Sequence, residues 1–379
     1  MPQMRDMKFL SLGPVIYFSI IALAGSILDQ MRGTRSFGRK FMFNSLRNLA
    51  VAGSVMAMSA MFANTVQAAD ELVISSATPP QHIQTLTMAR FAEALMERSG
   101  GTLKAKVFDS SQLYNARDVG KAVARGDVGM ATVPSPYLSR VESNINVLDL
   151  PVLKGMTAQE RAKMLDGPLG DKLSEMLHAK MGVVVPGNWP ILGRVYYWST
   201  SKPLTNFEEF VGLQVRIPGG AGPAALVEGM GGVPVVMPGS DMPLALQQGT
   251  VDATMAAIES VVQQKLTDVG VRYGFWDQGV VGFLIPIVSQ AYWDSLSDDE
   301  KTLFTEVWND VVAEQRVANL AVDAEMRATL KDWGVTISDA DDASSAAMRE
   351  KMMPQQEAVI AKYKLDADLV ALATEAAAQ

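Results

Sequence analysis

The 379-residue sequence predicts an α/β protein built as a two-lobe clamshell, with mixed sheets and long C-terminal helices that bridge both lobes. Three observations favour this class. Strand-like and helix-like patterns alternate from Glu71 to Val133, and a second alternating series runs from Arg194 to Met255. Beyond Ile285 the pattern changes to long helical stretches, which are able to brace both series.

In the first series, glycines end the helical patterns. The segment Thr87–Arg98 carries apolar residues at helical spacing and stops at Gly100. The segment Leu103–Phe108 alternates apolar residues with lysine, which is typical of a strand with one face in water. The predicted strands are 71–77, 103–108, 128–133 and 182–186, and the predicted helices are 87–98, 115–125, 157–166 and 168–180.

The second series repeats this alternation and is followed by two long helices. Ser297–Glu300 opens a helix that runs to about Trp333, because acidic residues favour a first helical turn, and Gly334 stops it. The predicted strands are 194–198, 214–218, 233–237 and 250–255, and the predicted helices are 207–210, 221–229, 240–248 (with Ser240 as N-cap) and 344–363.

These elements predict lobe I from residues 69–193 plus about 282–321, and lobe II from residues 194–281 plus about 322–379. In open α/β folds, ligands bind in the crevice outside the carboxyl ends of strands, often between lobes. We therefore expect a ligand site between the two lobes.

The N-terminus predicts export. Residues 42–68 are typical of a secretory signal peptide, with Arg47 before an apolar stretch and small residues at Val66–Ala68. Residues 1–41 contain a second apolar run that is long enough to span a bilayer. They are either an extra membrane anchor or the product of a mis-assigned start, with translation beginning at Met42. We favour the mis-assigned start, because a complete signal peptide after a membrane span is redundant.

Charge argues against nucleic acid as a partner. Residues 1–68 hold seven of the 33 Lys/Arg and two of the 41 Asp/Glu, which leaves a net charge of −13 for residues 69–379. An acidic body repels a phosphate backbone. The sequence has no cysteine, and neither His82 nor His178 has a partner at zinc-ligand spacing, so we expect no metal site and no cofactor.

Two arginines are the strongest candidates for a binding site. Arg194 and Arg216 each lie inside an apolar, strand-like run. A guanidinium stays charged in a folded protein and is poorly tolerated in apolar surroundings, so each needs an anion opposite it. That anion is either a ligand carboxylate or an acidic side chain of the protein itself. His82 and Trp189 are further candidates, for which a place in the core is the alternative.

Six segments carry a resemblance to a known family. They are Phe108–Leu113, Gly126–Met130, Ser201–Leu204, Gly212–Pro218, Leu246–Asp252 and Tyr292–Leu296. Residues 70–379 with these segments resemble the solute-binding proteins of tripartite ATP-independent periplasmic (TRAP) transporters. The resemblance implies a periplasmic binding protein clamshell that closes over a small organic acid and delivers it to a membrane permease. It also implies that Arg216 pairs with the ligand carboxylate and that Arg194 assists.

The sequence departs from that family at two positions of the implied site. Many members carry an amide-containing run after the position of Asp252, where this chain has Ala253–Ala257, including Met255. Members often carry an aromatic residue near Pro238, where this chain has Gly239. Both changes make the site more apolar. They favour a monocarboxylate with an apolar or aromatic body, such as a 2-oxo or 2-hydroxy acid, over a dicarboxylate or sialic acid.

Two other functions are weighed against transport. An exported enzyme is disfavoured, because the sequence shows no nucleophile elbow, no phosphate loop and no metal cluster. A sensor subunit that reports its ligand to a membrane receptor would use the same clamshell. The expectation is a periplasmic, monomeric binding protein that is not an enzyme.

Overall fold

The computed structural model describes residues 71–378, so the predicted signal peptide at 42–68 and the segment 1–41 lie outside the described residues. The strands are β1 Leu72–Ser75, β2 Ala105–Phe108, β3 Met130–Pro134, β4 Val183–Val184, β5 Ile191–Ser199, β6 Gln214–Ile217, β7 Val233–Val236, β8 Ala253–Ala257, β9 Tyr273–Trp276, β10 Val281–Ser289 and β11 Thr336–Asp339. The helices are α1 Ile83–Arg98, α2 Val119–Arg125, α3 Ser135–Leu138, α4 Ala158–Leu165, α5 Pro168–Met181, α6 Ala221–Gly229, α7 Met242–Gln247, α8 Ile258–Gln263, α9 Gln290–Ser295, α10 Asp298–Asp332, α11 Asp342–Tyr363 and α12 Ala367–Ala377. The predicted α/β class is confirmed.

The strands form two groups joined by β5 and β10. In the first group, β1 pairs in parallel with β2 and β3, and β10 runs antiparallel to β3. In the second, β6 pairs in parallel with β7 and β8, while β5 runs antiparallel to β8 and β9. The register between β5 and β10 pairs Val281 with Arg194 and Gly282 with Gly193, so these two strands pass from one lobe to the other. Both groups are mixed sheets, as predicted.

The long helix α10 bridges the lobes. Near its N-terminus, Phe304 and Trp308 pack edge-on against Phe91 of α1, with ring centroids 4.8 and 5.2 Å apart. Near its C-terminus, Leu330 packs in the cluster that contains Tyr196 of β5. Its start is a capping box in which the Ser297 hydroxyl accepts from the Glu300 amide and the Glu300 carboxylate accepts from the Ser297 amide. The helix thus packs against residues of both lobes.

The C-terminal lobe boundary differs from the prediction. We expected residues from about 322 to 379 in lobe II, and Met348 and Met352 of α11 do pack in the core of that lobe. Helix α12 instead packs in lobe I, where Leu369 and Ala373 share a cluster with Leu173 of α5. The apolar stripe of α12 predicts a buried face, but nothing local to it specifies which lobe covers that face.

Further details differ from the sequence predictions. Helix α7 begins at Met242, and its N-cap is Asp241 rather than Ser240. Strands β9, β10 and β11 and helices α3, α8, α9 and α12 had no predicted counterpart. Strand β10 is buried along its whole length, and such a continuous apolar run carries no periodicity that would mark it as a strand. Within residues 71–378, no helix is long and apolar enough to cross a membrane.

Candidate ligand-binding site

A cavity of about 400 Å³ is lined by residues of both lobes. Pro134–Tyr137, at the carboxyl end of β3, form part of one wall. Arg216 and Pro218, at the carboxyl end of β6, form part of the other. Ligand sites in open α/β sheets are expected at such strand ends. The volume lies in the range of small-molecule sites, roughly 300–1,000 Å³.

Arg216 is the buried cation of this cavity. It lies on β6 with 4% of its surface exposed. Its Nε and Nη2 donate to the Met237 carbonyl at 3.1 and 3.0 Å, and its Nη1 donates to the Met255 carbonyl at 3.1 Å. Among residues 71–378, no carboxylate lies within 4.0 Å of its guanidinium. The protein therefore holds Arg216 in place with neutral carbonyls, and the nearest favourable charge, that of Asp241, acts from beyond 4.0 Å.

The Arg216 guanidinium remains charged in this setting. Burial lowers the pKa of Arg216 from its usual value, whereas the Tyr137 hydroxyl and the charge of Asp241 act in the opposite direction. Arginine starts from so high a pKa that it does not deprotonate in proteins. An anionic ligand group would therefore meet a preformed, fully charged donor.

A hydroxyl from the opposite lobe lies beside Arg216. The Tyr137 hydroxyl oxygen, on α3, accepts from Arg216 Nη2 at 3.5 Å and from the Gly239 amide at 3.3 Å. A Cβ at Gly239 would lie 3.8 Å from both Arg216 Nη2 and Tyr137 Oη. Glycine at this position keeps the space next to the guanidinium open.

His82 lies on the cavity wall as the N-cap of α1. Its Nδ1 accepts from the Gln84 amide at 3.1 Å, which leaves Nε2 as the protonated nitrogen, 3.3 Å from the Ser260 hydroxyl. Burial lowers the pKa of His82 to about 4. The imidazole is therefore neutral at neutral pH and offers a polar group without charge.

Glu259 links the lobes next to His82. Its Oε1 accepts from the Ile83 amide at 2.7 Å, whereas its buried Oε2 has no hydrogen-bond partner among the described residues and lies 4.0 Å from His82 Nε2. Burial raises the pKa of Glu259 to about 7. A carboxyl group of lobe II thereby caps a helix of lobe I at the edge of the cavity.

The structure brings four of the six predicted site residues to the cavity. Arg216, His82, Met255 and Gly239 line it. Arg194 does not: its guanidinium pairs with Asp323 of α10 at 3.2 Å and stacks over the Trp276 ring at 4.1 Å. For Arg194 the acidic side chain of the protein itself is the observed partner.

Trp189 also lies away from the cavity. It is 2% exposed and packs in the hydrophobic core of lobe I with Ile191 and Leu165. Its backbone carbonyl accepts from Arg316 of α10 at 2.8 Å. An aromatic residue next to a strand is here a core residue, which was the alternative for this position.

Several polar lining residues were not predicted, among them Tyr137, Arg117 and Asp149. Tyr137 follows β3, and its place after a strand carboxyl end is the signal by which it can be found. Arg117 is exposed at the cavity wall. Asp149 is buried there, and burial raises its pKa to about 7. Among residues 71–378, no group of three or more His, Asp or Glu could hold a metal ion.

Comparisons with known proteins agree on one class. The family described as bacterial extracellular solute-binding protein, family 7, matches residues 74–362. The C4-dicarboxylate-binding periplasmic protein DctP of Rhodobacter capsulatus is 30% identical over 219 residues, which are 56% of this chain and 63% of that protein. The match thus spans just under two thirds of that relative.

Two solved structures share the fold. The sugar acid binding protein DctPAm from Advenella mimigardefordensis, in complex with galactonate, matches with a TM-score of 0.76 at 23% identity, over 82% of this chain and 98% of that one. A TRAP periplasmic solute binding protein from Desulfovibrio salexigens with bound orotic acid matches with a TM-score of 0.75 at 21% identity, over 81% and 98%. At these identities the likeness concerns the fold.

Proposed function

The chain belongs to the bacterial extracellular solute-binding proteins of family 7, the periplasmic solute-binding proteins of TRAP transporters, and we propose that its ligand is a monocarboxylate with an apolar body. As a member of this family it is a transport protein and not an enzyme. Such proteins bind small organic acids and work with membrane permease subunits. In this proposal the chain acts as a monomer, exported by residues 42–68, and hands its acid to those subunits.

The observation that carries the proposal is the unpaired charge of Arg216. A buried guanidinium is costly without an anion, and this one lies in the wall of a cavity with only neutral acceptors in hydrogen-bond contact. A carboxylate entering the cavity would supply the missing charge through short, charge-assisted hydrogen bonds. The ligands of the similar proteins named above, a C4-dicarboxylate, galactonate and orotic acid, all carry a carboxylate.

One part of the cavity wall supports an apolar body. Its wall includes the apolar side chains of Leu192, Val195, Met242, Met255, Val281 and Phe283. The strand β8 presents Met255–Ala257 to the cavity. A second carboxylate or several hydroxyls placed against these side chains would lose hydration without gaining partners. An alkyl or aromatic group would bury apolar surface there.

The mechanism uses closure of the two lobes. Strands β5 and β10 and helix α10 connect the lobes, since each of them runs through both lobes. Bending at these elements would open the cavity to the ligand and close it again. Closure removes water, which strengthens the pairing of the carboxylate with Arg216 because the local dielectric falls. The closed, loaded form is then the species that the permease receives.

A thermal-shift screen of organic acids tests this proposal. We expect acids with one carboxylate and an apolar body to raise the melting temperature most, by several degrees at about 100 times the dissociation constant. Arg216→Ala should abolish the shift, and Arg194→Ala, the matched control, should retain it. A preference for dicarboxylates or sugar acids would overturn the ligand class. An undiminished shift in folded Arg216→Ala would overturn the carboxylate anchor.

A further inference from the structure

The hydroxyl of Tyr137 has an unusual set of partners for a tyrosine on a cavity wall. Its oxygen accepts two N–H groups from lobe II, at 3.5 Å from Arg216 and 3.3 Å from Gly239, while its own ring belongs to α3 of lobe I. Among the hydrogen bonds of the described residues, none has the Tyr137 hydroxyl as donor. The hydroxyl hydrogen is therefore free to bond a group inside the cavity.

Two N–H donors that converge on one oxygen define a place suited to an anionic oxygen. The contacts to the neutral tyrosine oxygen are long for hydrogen bonds, because the usual distance between the donor nitrogen and the acceptor oxygen is about 2.9–3.0 Å. A carboxylate oxygen, which only accepts, would take the same two donors in shorter, charge-assisted bonds. The tyrosine hydroxyl would then turn its hydrogen to that oxygen, because a hydroxyl can donate as well as accept.

We propose that Tyr137 is a ligand-binding residue that donates a hydrogen bond to the carboxylate held by Arg216, with the Gly239 amide as the third donor. This inference rests on the proposed function and deepens it. The carboxylate is then bonded from both lobes, by Arg216 and Gly239 from lobe II and by Tyr137 from lobe I. The bond from Tyr137 of lobe I exists only when the lobes are closed over the acid.

This arrangement predicts a kinetic signature. The Tyr137 bond forms on closure and breaks on opening, so its loss should accelerate release of the acid and leave capture nearly unchanged. Tyr137→Phe removes the hydroxyl and keeps the ring, which limits the change to the hydrogen bonds. Tyr114→Phe is the matched control, because the Tyr114 hydroxyl bonds Asp127 at the surface, 3.1 Å away, and does not line the cavity.

The experiment titrates three related acids into the parent protein and both variants. The probes are 4-methyl-2-oxopentanoate, 2-hydroxy-4-methylpentanoate and 4-methylpentanoate, which share one carboxylate and one apolar body and differ only at C2. Calorimetry and stopped-flow fluorescence give affinity and rate constants. Tyr137→Phe should weaken each acid that the parent binds by about tenfold, through faster dissociation, since a hydrogen bond to a charged group is lost. Tyr114→Phe should bind as the parent does.

Each other outcome contradicts a defined part of this account. Equal affinities of Tyr137→Phe and the parent would overturn the inference. The pairing of the carboxylate with Arg216 is tested separately, by Arg216→Ala. A loss confined to the two acids with a C2 oxygen would place the hydroxyl on that oxygen and overturn the carboxylate contact. The proposed function itself is overturned, and the inference with it, if Arg216→Ala binds the acids as tightly as the parent. The same holds if none of the three acids binds the parent at 10 mM, a concentration chosen to reveal even weak, roughly millimolar affinity.

Discussion

Arg216 and Arg194 have the same sequence context and opposite surroundings. Both lie in apolar strand-forming runs, yet Arg216 is buried without a carboxylate whereas the Arg194 side chain is 42% exposed and paired with Asp323. Arg194 also covers the face of Trp276. The comparison shows that an arginine in a strand marks a ligand site only where the protein withholds its own counter-ion. That condition is set by the tertiary fold.

The largest expected difference is in ligand affinity when each arginine is replaced by lysine. Lysine keeps the charge but is a point donor, so at position 216 it cannot bond the Met237 and Met255 carbonyls and a carboxylate together. We expect Arg216→Lys to bind the best acid of the screen 10- to 100-fold more weakly, about 1.4–2.7 kcal/mol. Arg194→Lys should bind it like the parent. Equal losses in the two variants, measured by calorimetry, would remove the distinction between the two sites.

Arg216 and Arg194 also show how much of this site the sequence predicts. Arg216 could be found because a charge in an apolar run is visible locally. Asp323, which pairs with Arg194, lies 129 residues away on another element, and no local pattern connects the two. The position of Tyr137 after β3 is a local signal, but its contact with Arg216 joins the two lobes and has no local signal. Residues that meet only after the lobes assemble are beyond the reach of spacing rules.

The fold shows the same division between local and non-local information. Helix α6 matches its predicted bounds, since Gly231 and Gly232 mark its end. Helix α10 matches to within one residue at each end, because its capping box and Gly334 are local signals. The placement of α12 on lobe I was missed, because its apolar stripe would fit either lobe. Local chemistry predicts the elements, and assembly decides their neighbours.

Glu259 offers an acidic counterpart to Arg216, since it too is buried beside the cavity with no charged partner. Its pKa is raised from 4.5 to about 7 by burial, so the folded protein binds more protons than the unfolded chain between those values. Stability from this group is therefore present below about pH 4.5 and is lost as the pH rises through 7. Glu259→Gln should be more stable than the parent at pH 8 by about 1–2 kcal/mol.

Chemical unfolding at several pH values measures this difference. The gain of Glu259→Gln should shrink towards zero near pH 5, where the parent carboxyl group is protonated. His82, whose pKa is lowered to about 4, makes both proteins lose stability as the pH falls below about 6.5, so its effect cancels in the difference. A stability difference that is the same at pH 5 and pH 8 would contradict the assignment.

Asp323→Asn tests the structural side of the comparison. Asp323 accepts from the Tyr196 hydroxyl at 2.7 Å and from Arg194 at 3.2 Å. Loss of its charge should lower the free energy of unfolding by about 1 kcal/mol, because these bonds are partly exposed. Ligand affinity should stay unchanged. Weaker binding in a variant that is otherwise stable would show that the Arg194 pair does contribute to the ligand site.

The smallest expected effect concerns Gly239. A methyl group there would meet Arg216 and Tyr137 at 3.8 Å, an ordinary contact distance. Gly239→Ala should therefore change stability by less than about 0.5 kcal/mol and weaken acid binding a few-fold by narrowing the approach to Arg216. Gly167→Ala, where the nearest atom also lies 3.8 Å away but outside the cavity, is the control. Unchanged binding in Gly239→Ala would place the carboxylate farther from this position.

A crystal structure with the best acid of the screen tests the central claim most directly. We expect a carboxylate within roughly 2.7–2.9 Å of the Arg216 guanidinium nitrogens, the distance of a charge-assisted bond. The apolar part of the acid should lie against Met255 and Phe283, and Arg194 should remain on Asp323. A carboxylate bound at Arg117 or Arg194, with Arg216 still bonded only to its carbonyls, would contradict the account.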